Sequence, residues 1–247
     1  METRDGTIGL PPFSVVIPAF NEAGRIGATL RTTLEYLGRV CPESEVIVVN
    51  DGSTDTTAEI VREGFSAAAG PIQTRLLEHH PNRGKGAAVR AGLLAATNPI
   101  GLFSDADLST PIDDAPRLVE PIAAGEVDIA FGSRALDRRL IGHHQPWRRE
   151  QGGRVFNLVV RVATGLPFWD TQCGFKAFRL DVCRPILEKA QTEGFGFDVE
   201  LLYLAWRAKL RMREVPVHWN HFDGSKVSFF RDSLRMFGEV VALRSRN

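Results

Sequence analysis

Asp105-Ala106-Asp107 follows directly on the apolar run Ile100–Ser104. Two carboxylates two residues apart on one turn can share a hard divalent cation, Mg²⁺ or Mn²⁺, whose remaining positions go to water and to substrate phosphates. Two other short β-branched runs end in similar groups: Ser14–Ile17 in Pro18-Ala19-Phe20-Asn21-Glu22, and Val46–Val49 in Asn50-Asp51-Gly52-Ser53-Thr54-Asp55. Asp55 is placed to cap the helix that follows it, whereas Asp51 stands where its strand stops and is less well explained that way. Arg83-Gly84-Lys85-Gly86 opens a helical pattern, where glycine amides and the Lys85 charge suit a phosphate. Arg134, after Gly132-Ser133, and Lys226, in the turn Gly224-Ser225-Lys226, are further cations placed to meet an anion. Phe197-Asp198-Val199-Glu200 starts a helix, where acids are electrostatically favoured in any case. Gly84-x-Gly86 with Asp105 downstream imitates a dinucleotide fingerprint, but Val89 occupies the third small position and His80-Pro81-Asn82 separates the glycines from the strand. No Walker A sequence is present either.

These residues need elements that bring them together. In the first half, strand-like runs at 14–17, 46–49, 75–78, 100–104 and 128–131 alternate with helical patterns near 23–38, 55–64, 85–97 and 114–123. That alternation predicts an α/β fold, a mostly parallel central sheet with helices on both faces, in which ligands bind beyond the carboxyl ends of the strands. Further on, helices are expected at 149–163, 197–209 and 227–243, a strand at 214–219, and a turn at Asp170–Phe175. We read one domain, 1–247, in two halves, 13–135 and 136–247. The formal net charge of the 247 residues is zero, yet 1–135 holds 18 acids against 11 bases and 136–247 holds 12 against 19. Carboxylates in one half and cations in the other suit a site that gathers a metal and anions. Zero net charge without a basic-aromatic module argues against nucleic acid. The longest uncharged run, Gly6–Asn21, has 16 residues and three prolines, short of the ~20 apolar residues of a spanning helix. With no signal-like N-terminus and three cysteines in no metal-like spacing, a cytoplasmic protein is expected.

The ordered series Val15–Glu22, Ile47–Asp55, Gly84-Lys85-Gly86 and Asp105-Ala106-Asp107 resembles the family 2 glycosyltransferases, inverting enzymes of GT-A fold. Within that family, Asp105–Pro111, Gly132-Ser133-Arg134, Asp170–Lys176, Phe197–Leu202, Glu214–Val217 and Gly224–Val227 look most like the dolichyl- or polyprenyl-phosphate sugar synthases. The resemblance implies that Pro18, Phe20, Glu22, Val49 and Asp51 hold nucleobase and ribose, and that Asp105 faces ribose and metal. It further implies that Asp107 ligates the metal and that Arg134 and Lys226 approach the phosphates. Lys85 joins the nucleotide-binding set on its position. The chain departs from the family pattern at Phe20 (commonly Tyr), Ser109 (Gln in mannosyl members) and Asn220 (Arg in mannosyl members). The Trp219…Gly224-Ser225-Lys226 pattern looks more like the glucosyl branch, which favours UDP-glucose over GDP-mannose as donor.

The reaction so implied is displacement at the anomeric carbon with inversion, through an oxocarbenium-like transition state. A polyprenyl phosphate acceptor, with a second pKa near ~6, is largely ionised at neutral pH and needs no strong base. A hydroxyl acceptor on a soluble molecule or glycan would need one, with Asp198 or Glu200 as candidates. A nucleotidyltransferase is the remaining alternative, although no glycine-rich loop follows the first strand. Arginines interleaved with Trp147, Phe156, Leu158, Val159 and Val160, together with the amphipathic 227–243, suit peripheral attachment to a membrane surface.

Overall fold

The computed structural model describes residues 10–68, 70–143 and 147–220. Lys226 and the expected last helix therefore lie outside the described residues. Five strands occur in the first half: β1 (Phe13–Ala19), β2 (Glu45–Asn50), β3 (Gln73–Glu78), β4 (Ile100–Ser104) and β5 (Ile129–Ser133). Between them come α1 (Ile26–Val40), α2 (Thr57–Ser66), α3 (Lys85–Ala95) and α4 (Ala115–Ala123). The second half adds β6 (Ile141–His143), α5 (Trp147–Thr164), β7 (Phe175–Arg179), α6 (Leu180–Lys189), α7 (Phe197–Arg207), β8 (Met212–Pro216) and β9 (Trp219–Asn220). Seven strands form one sheet in the order β3-β2-β1-β4-β7-β5-β8, and β6 pairs with β9 separately.

All neighbours in the large sheet are parallel except β7, which runs antiparallel between β4 and β5. The predicted class is therefore observed, but β7 and α6 are additions to it. The expected turn at 170–175 ends in the first residue of β7, whose Lys176 and Arg179 break an otherwise apolar strand signal. Pro185 likewise interrupts the helical signal of α6. That helix is held by packing, with Leu180, Cys183, Ile186 and Leu187 buried along one face. The expected strand at 214–219 is two strands, β8 and β9, with β8 starting at Met212.

Strand residues alternate between two apolar layers, as a pleated sheet covered on both faces requires. Val16, Ile47, Val49, Phe103, Phe131 and Phe178 belong to the layer under α3, α5, α6 and α7. Phe13, Val15, Ile17, Val48, Leu102 and Phe175 belong to the layer under α1 and α4. The register aligns Ala19 with Asn50, Asn50 with Glu78, Ser104 with Phe175 and Ser133 with Pro216. One sheet edge thus carries the carboxyl ends of six strands together with the amino end of β7.

Helix α3 packs on β1 and β2 at a glycine. A methyl group on Gly92 would run into Val16 and would lie 3.1 Å from Val49 Cγ2. Both valines are fully buried strand residues with little room to shift. Gly92→Ala is expected to cost about 1–3 kcal/mol by overpacking, read as a lower urea midpoint with an unchanged m-value.

Candidate active site

At the shared edge, the β4 turn holds its two carboxylates differently. Asp105 Oδ1 lies 2.6 Å from Lys85 Nζ, and the Asp105 amide donates to the Gly174 carbonyl at 3.1 Å. A methyl group on Gly174 would occupy the space of the Asp105 carboxylate, so glycine at 174 is what lets that carboxylate lie against the backbone preceding β7. Asp107 Oδ1 accepts the Ser109 amide at 2.9 Å, and its Oδ2 lies 3.9 Å from Arg25 Nη1. Arg25 also pairs with Glu22 at 2.8 Å, which ties the end of β1 to the Asp107 turn. Sequence reasoning missed Arg25. Its signal was a base three residues after Glu22 at a helix start.

Each carboxylate is half-buried beside a cation. Burial works against the Lys85 ammonium, but Asp105, and behind it Asp198, outweigh that and hold its pKa above the ordinary lysine value. Two carboxylate side chains suit a hard cation that keeps water and substrate phosphate oxygens as its other ligands. Among the described residues no set of three or more His, Cys, Asp and Glu side chains forms a closed metal cage. A donor set of two carboxylates fits a hard divalent cation.

Asp51 is buried, and its carboxylate is fully engaged. It meets His79 Nδ1 at 2.8 Å and accepts the amides of Arg83 (3.1 Å) and Gly84 (2.7 Å). The Gly84 amide is thus spent on Asp51, and the Gly86 amide donates to the Glu193 carbonyl at 2.7 Å. This corrects the expectation that these glycines offer their amides to a phosphate. Their role is close approach: Gly84, at φ +108°, lies under the Glu193 backbone, and a Cβ on Gly86 would fall 2.5 Å from Phe197 Cβ. Asn21, Ser53, Thr54, Asp55 and Thr57 lace the β1 and β2 ends together. The Asn21 amide donates to Ser53 Oγ (2.9 Å), the Thr54 amide to Asn21 Oδ1 (2.7 Å) and the Glu22 amide to Thr57 Oγ1 (2.7 Å). Asp55 accepts the Thr57 amide at 3.0 Å, the helix-start role expected of it. Pro18 and Val49 pair across β1 and β2 one residue below this lacing, and Phe20 is 41% exposed above it.

Arg134, beyond β5, makes a bidentate pair with Asp170 (Nε–Oδ2 2.7 Å, Nη2–Oδ1 2.9 Å), and its amide donates to the same carboxylate at 3.0 Å. Glu214 on β8 holds the other side of this turn by accepting the Trp169 and Asp170 amides at 3.0 and 2.8 Å. Burial pushes the Arg134 pKa down, but Asp170 outweighs it and raises the value, so the cation is permanent. Cys173 sits in the same turn as a neutral thiol, pushed up to about 11 mainly by burial. On α7, Asp198 and Glu200 both point inward. Asp198 Oδ1 is 2.6 Å from the buried Lys176 Nζ, and Glu200 Oε2 accepts the Gln191 and Thr192 amides at 3.0 and 2.6 Å. Ser109 and Asn220 meet through the backbone, the Asn220 amide donating to the Ser109 carbonyl at 2.8 Å.

Residues 14–187 match the profile of glycosyl transferase family 2. The chain belongs to that family. Its sheet and helices have the GT-A arrangement of solved family-like structures. Glucosyl-3-phosphoglycerate synthase from Mycobacterium tuberculosis, in complex with phosphoglyceric acid, superposes with a TM-score of 0.67 at 22% identity, over 95% of this chain and 79% of that one. The same enzyme solved with Mn²⁺, uridine-diphosphate-glucose and glycerol 3-phosphate gives 0.65 at 21% identity, over 95% and 79%. In sequence, the chain is 34% identical to the dolichyl-phosphate beta-glucosyltransferase of Saccharomyces cerevisiae, over 94% of this chain and 73% of that protein. It is 39% identical to the Drosophila melanogaster protein of the same name (90% and 71%) and 32% identical to the human one (94% and 75%).

The Arg134–Asp170 pair gives this family 2 member a measurable acid sensitivity. Burial raises the Asp170 pKa, but Arg134 outweighs it and holds the carboxyl below its ordinary value. A depressed folded pKa stabilises above the unfolded value of ~3.9, and that contribution is lost as pH falls through the lower folded one. Asp170→Asn is expected to lower stability by about 2–3 kcal/mol at pH 7. The gap to the unaltered protein should close as urea midpoints are followed from pH 5 to pH 2.

Proposed function

We propose that the chain transfers glucose, with inversion, from UDP-glucose to a dolichyl or other polyprenyl phosphate, with Mg²⁺ or Mn²⁺ held by Asp105 and Asp107. The observation that carries this reading is the charge arrangement at the sheet edge. A two-carboxylate turn faces Lys85 and Arg25, and Arg134 stands two strands away, in a chain related over nine-tenths of its length to enzymes named for this transfer. A bound divalent cation supplies charge stabilisation for the departing nucleoside diphosphate. Lys85 and Arg25 orient Asp105 and Asp107. Arg134, fixed by both oxygens of Asp170, is a preorganised charge for phosphate oxygens, and Lys226 is assigned the same task. The ends of β1 and β2, with Phe20 exposed, Glu22 pinned by Arg25 and Asp51 fixing the Arg83–Gly84 backbone, form the nucleoside end.

The state of α7 favours a phosphate acceptor over a hydroxyl. The two acids that could serve as a general base are turned into the protein and engaged, Asp198 by Lys176 and Glu200 by two amides. An ionised phosphate attacks without a base. GDP-mannose is the second donor, disfavoured by Ser109 and Asn220, which put a short hydroxyl and an amide where mannosyl enzymes have a metal-ligating Gln and an Arg. The decisive assay supplies polyprenyl phosphate in detergent, Mn²⁺ and either labelled donor. Label is expected in lipid from UDP-glucose alone, with the signal lost in Asp107→Ala. Donor hydrolysis without lipid product would move the acceptor, and label from GDP-mannose would reverse the donor assignment.

No helix among the described residues is long and apolar enough to cross a membrane; separately, we assign the lipid a peripheral docking surface on α5. That helix buries Phe156 and Val160 on the sheet, yet Val155, Leu158 and Val162 on its far side are 62%, 58% and 75% exposed. Apolar residues on both faces mark a surface helix with a second apolar environment. Arg161 stacks 4.0 Å over Trp169, immediately before the Asp170 that holds Arg134, which joins this face to the phosphate end of the site. Replacing Val155, Leu158 and Val162 together by Glu should weaken binding to anionic vesicles at least about tenfold, since each such side chain taken out of water contributes about 1.5–3 kcal/mol. Transfer to a short, water-soluble prenyl phosphate should persist. Loss of both would place the face against protein.

A further inference from the structure

Lys176 is the least expected charge in the molecule. It is fully buried as the second residue of β7, with Phe103 of β4 and Phe131 of β5 as its register partners. Its Nζ donates to the Cys173 carbonyl at 2.5 Å and to Asp198 Oδ1 at 2.6 Å, and Asp198 is buried as well. Taking two charges out of water costs several kcal/mol per ion, so such a pair contributes little net stability compared with apolar residues of the same volume. The Cys173 bond shows what the pair holds. Residues 170–174 carry Asp170, the partner of Arg134, and Gly174, whose carbonyl accepts the Asp105 amide and against whose bare Cα the Asp105 carboxylate lies. Lys85, the direct partner of Asp105, also interacts electrostatically with Asp198. The charges therefore alternate from the core to the edge: Lys176, Asp198, Lys85, then Asp105.

Resting on the reading of Asp105 as a metal and donor group, we propose that Lys176 and Asp198 are positioning residues. They clamp the 170–174 turn so that Gly174 forms a fixed seat for Asp105, and through Asp170 they fix Arg134 on the opposite side of the same turn. The pair touches neither substrate nor metal. Its contribution is the orientation of groups that do, as partners behind metal ligands commonly provide.

The test replaces the pair by apolar residues of similar volume, Lys176→Met with Asp198→Leu, a change that removes both charges and leaves neither unpaired. Melting temperature is expected to hold. Affinity for Mn²⁺ with UDP, measured by calorimetry without acceptor, is expected to fall about 10–100-fold, the range for lost support behind a metal ligand. The Asp105 amide, bonded to Gly174, is expected to exchange at least about tenfold faster by NMR, while amides in the middle of β1 keep their rates. Asp198→Asn, which keeps the side-chain shape and an oxygen for Nζ, should give a smaller loss in the same direction, and it alone decides if the double variant does not fold. Unaltered Mn²⁺–UDP affinity and unaltered Asp105 exchange would overturn the proposal. Should the unsubstituted protein bind no Mn²⁺–UDP at all, the donor reading fails instead, and the Asp105 exchange rate decides the positioning role by itself.

Discussion

The site depends on holding several carboxylates near one another at one sheet edge, against their mutual repulsion. At the dielectric effective near a protein surface, two like charges ~4 Å apart repel by about 4 kcal/mol, a large fraction of the stability of a domain. The structure meets this constraint by giving each acid its own cation from a different element. Asp105 has Lys85 from the start of α3, Asp107 has Arg25 from the start of α1, Asp170 has Arg134 from the end of β5, and Asp198 has Lys176 from within β7. No local segment supplies both members of any of these pairs, so the charge pattern exists only once the sheet has formed.

The reversed strand makes this assembly geometrically feasible. In a parallel sheet the segment entering a strand lies at the edge opposite the carboxyl ends, far from the ligand crevice. Because β7 is antiparallel to both β4 and β5, the turn that enters it emerges beside the turns that leave its neighbours. Residues 170–174 can then touch Asp105 on one side and Arg134 on the other. The inserted strand also carries the second half of the chain into the middle of the sheet built by the first, so the acidic and basic halves meet at the site.

Much of this was legible in the sequence because it rests on local pattern. The β-branched runs give five strands within a few residues of their observed ends, and Asp105-x-Asp107 at the end of one of them gives the turn around which the candidate site gathers. What was not legible is long-range. Phe175–Arg179 reads poorly as a strand because its buried charge, Lys176, is compensated only by Asp198, 22 residues away. Gly84 and Gly86 look like a phosphate cradle because the sequence shows the absence of a Cβ but not the Glu193 and Phe197 atoms that fill the space. Asp51 was rightly separated from Asp55, yet its partners His79, Arg83 and Gly84 come from another loop. Arg25 was missed because a base one turn after an acid looks like a simple helix pair until Asp107 is seen beside it.

The same pairing explains why metal and donor suit each other here. With Asp105 and Asp107 already matched by Lys85 and Arg25, a divalent ion arriving alone would place positive charge beside those two cations. A diphosphate arriving alone would bring negative charge to Asp105 and Asp107. On the proposed reading, the two arriving together would neutralise each other, with Lys85 turning towards phosphate and Asp105 towards metal. A site balanced in this way disfavours either component by itself in a partly buried, low-dielectric crevice where imbalance is costly. On that reading its fixed cations would stand where negative charge grows as the bond from sugar to diphosphate breaks.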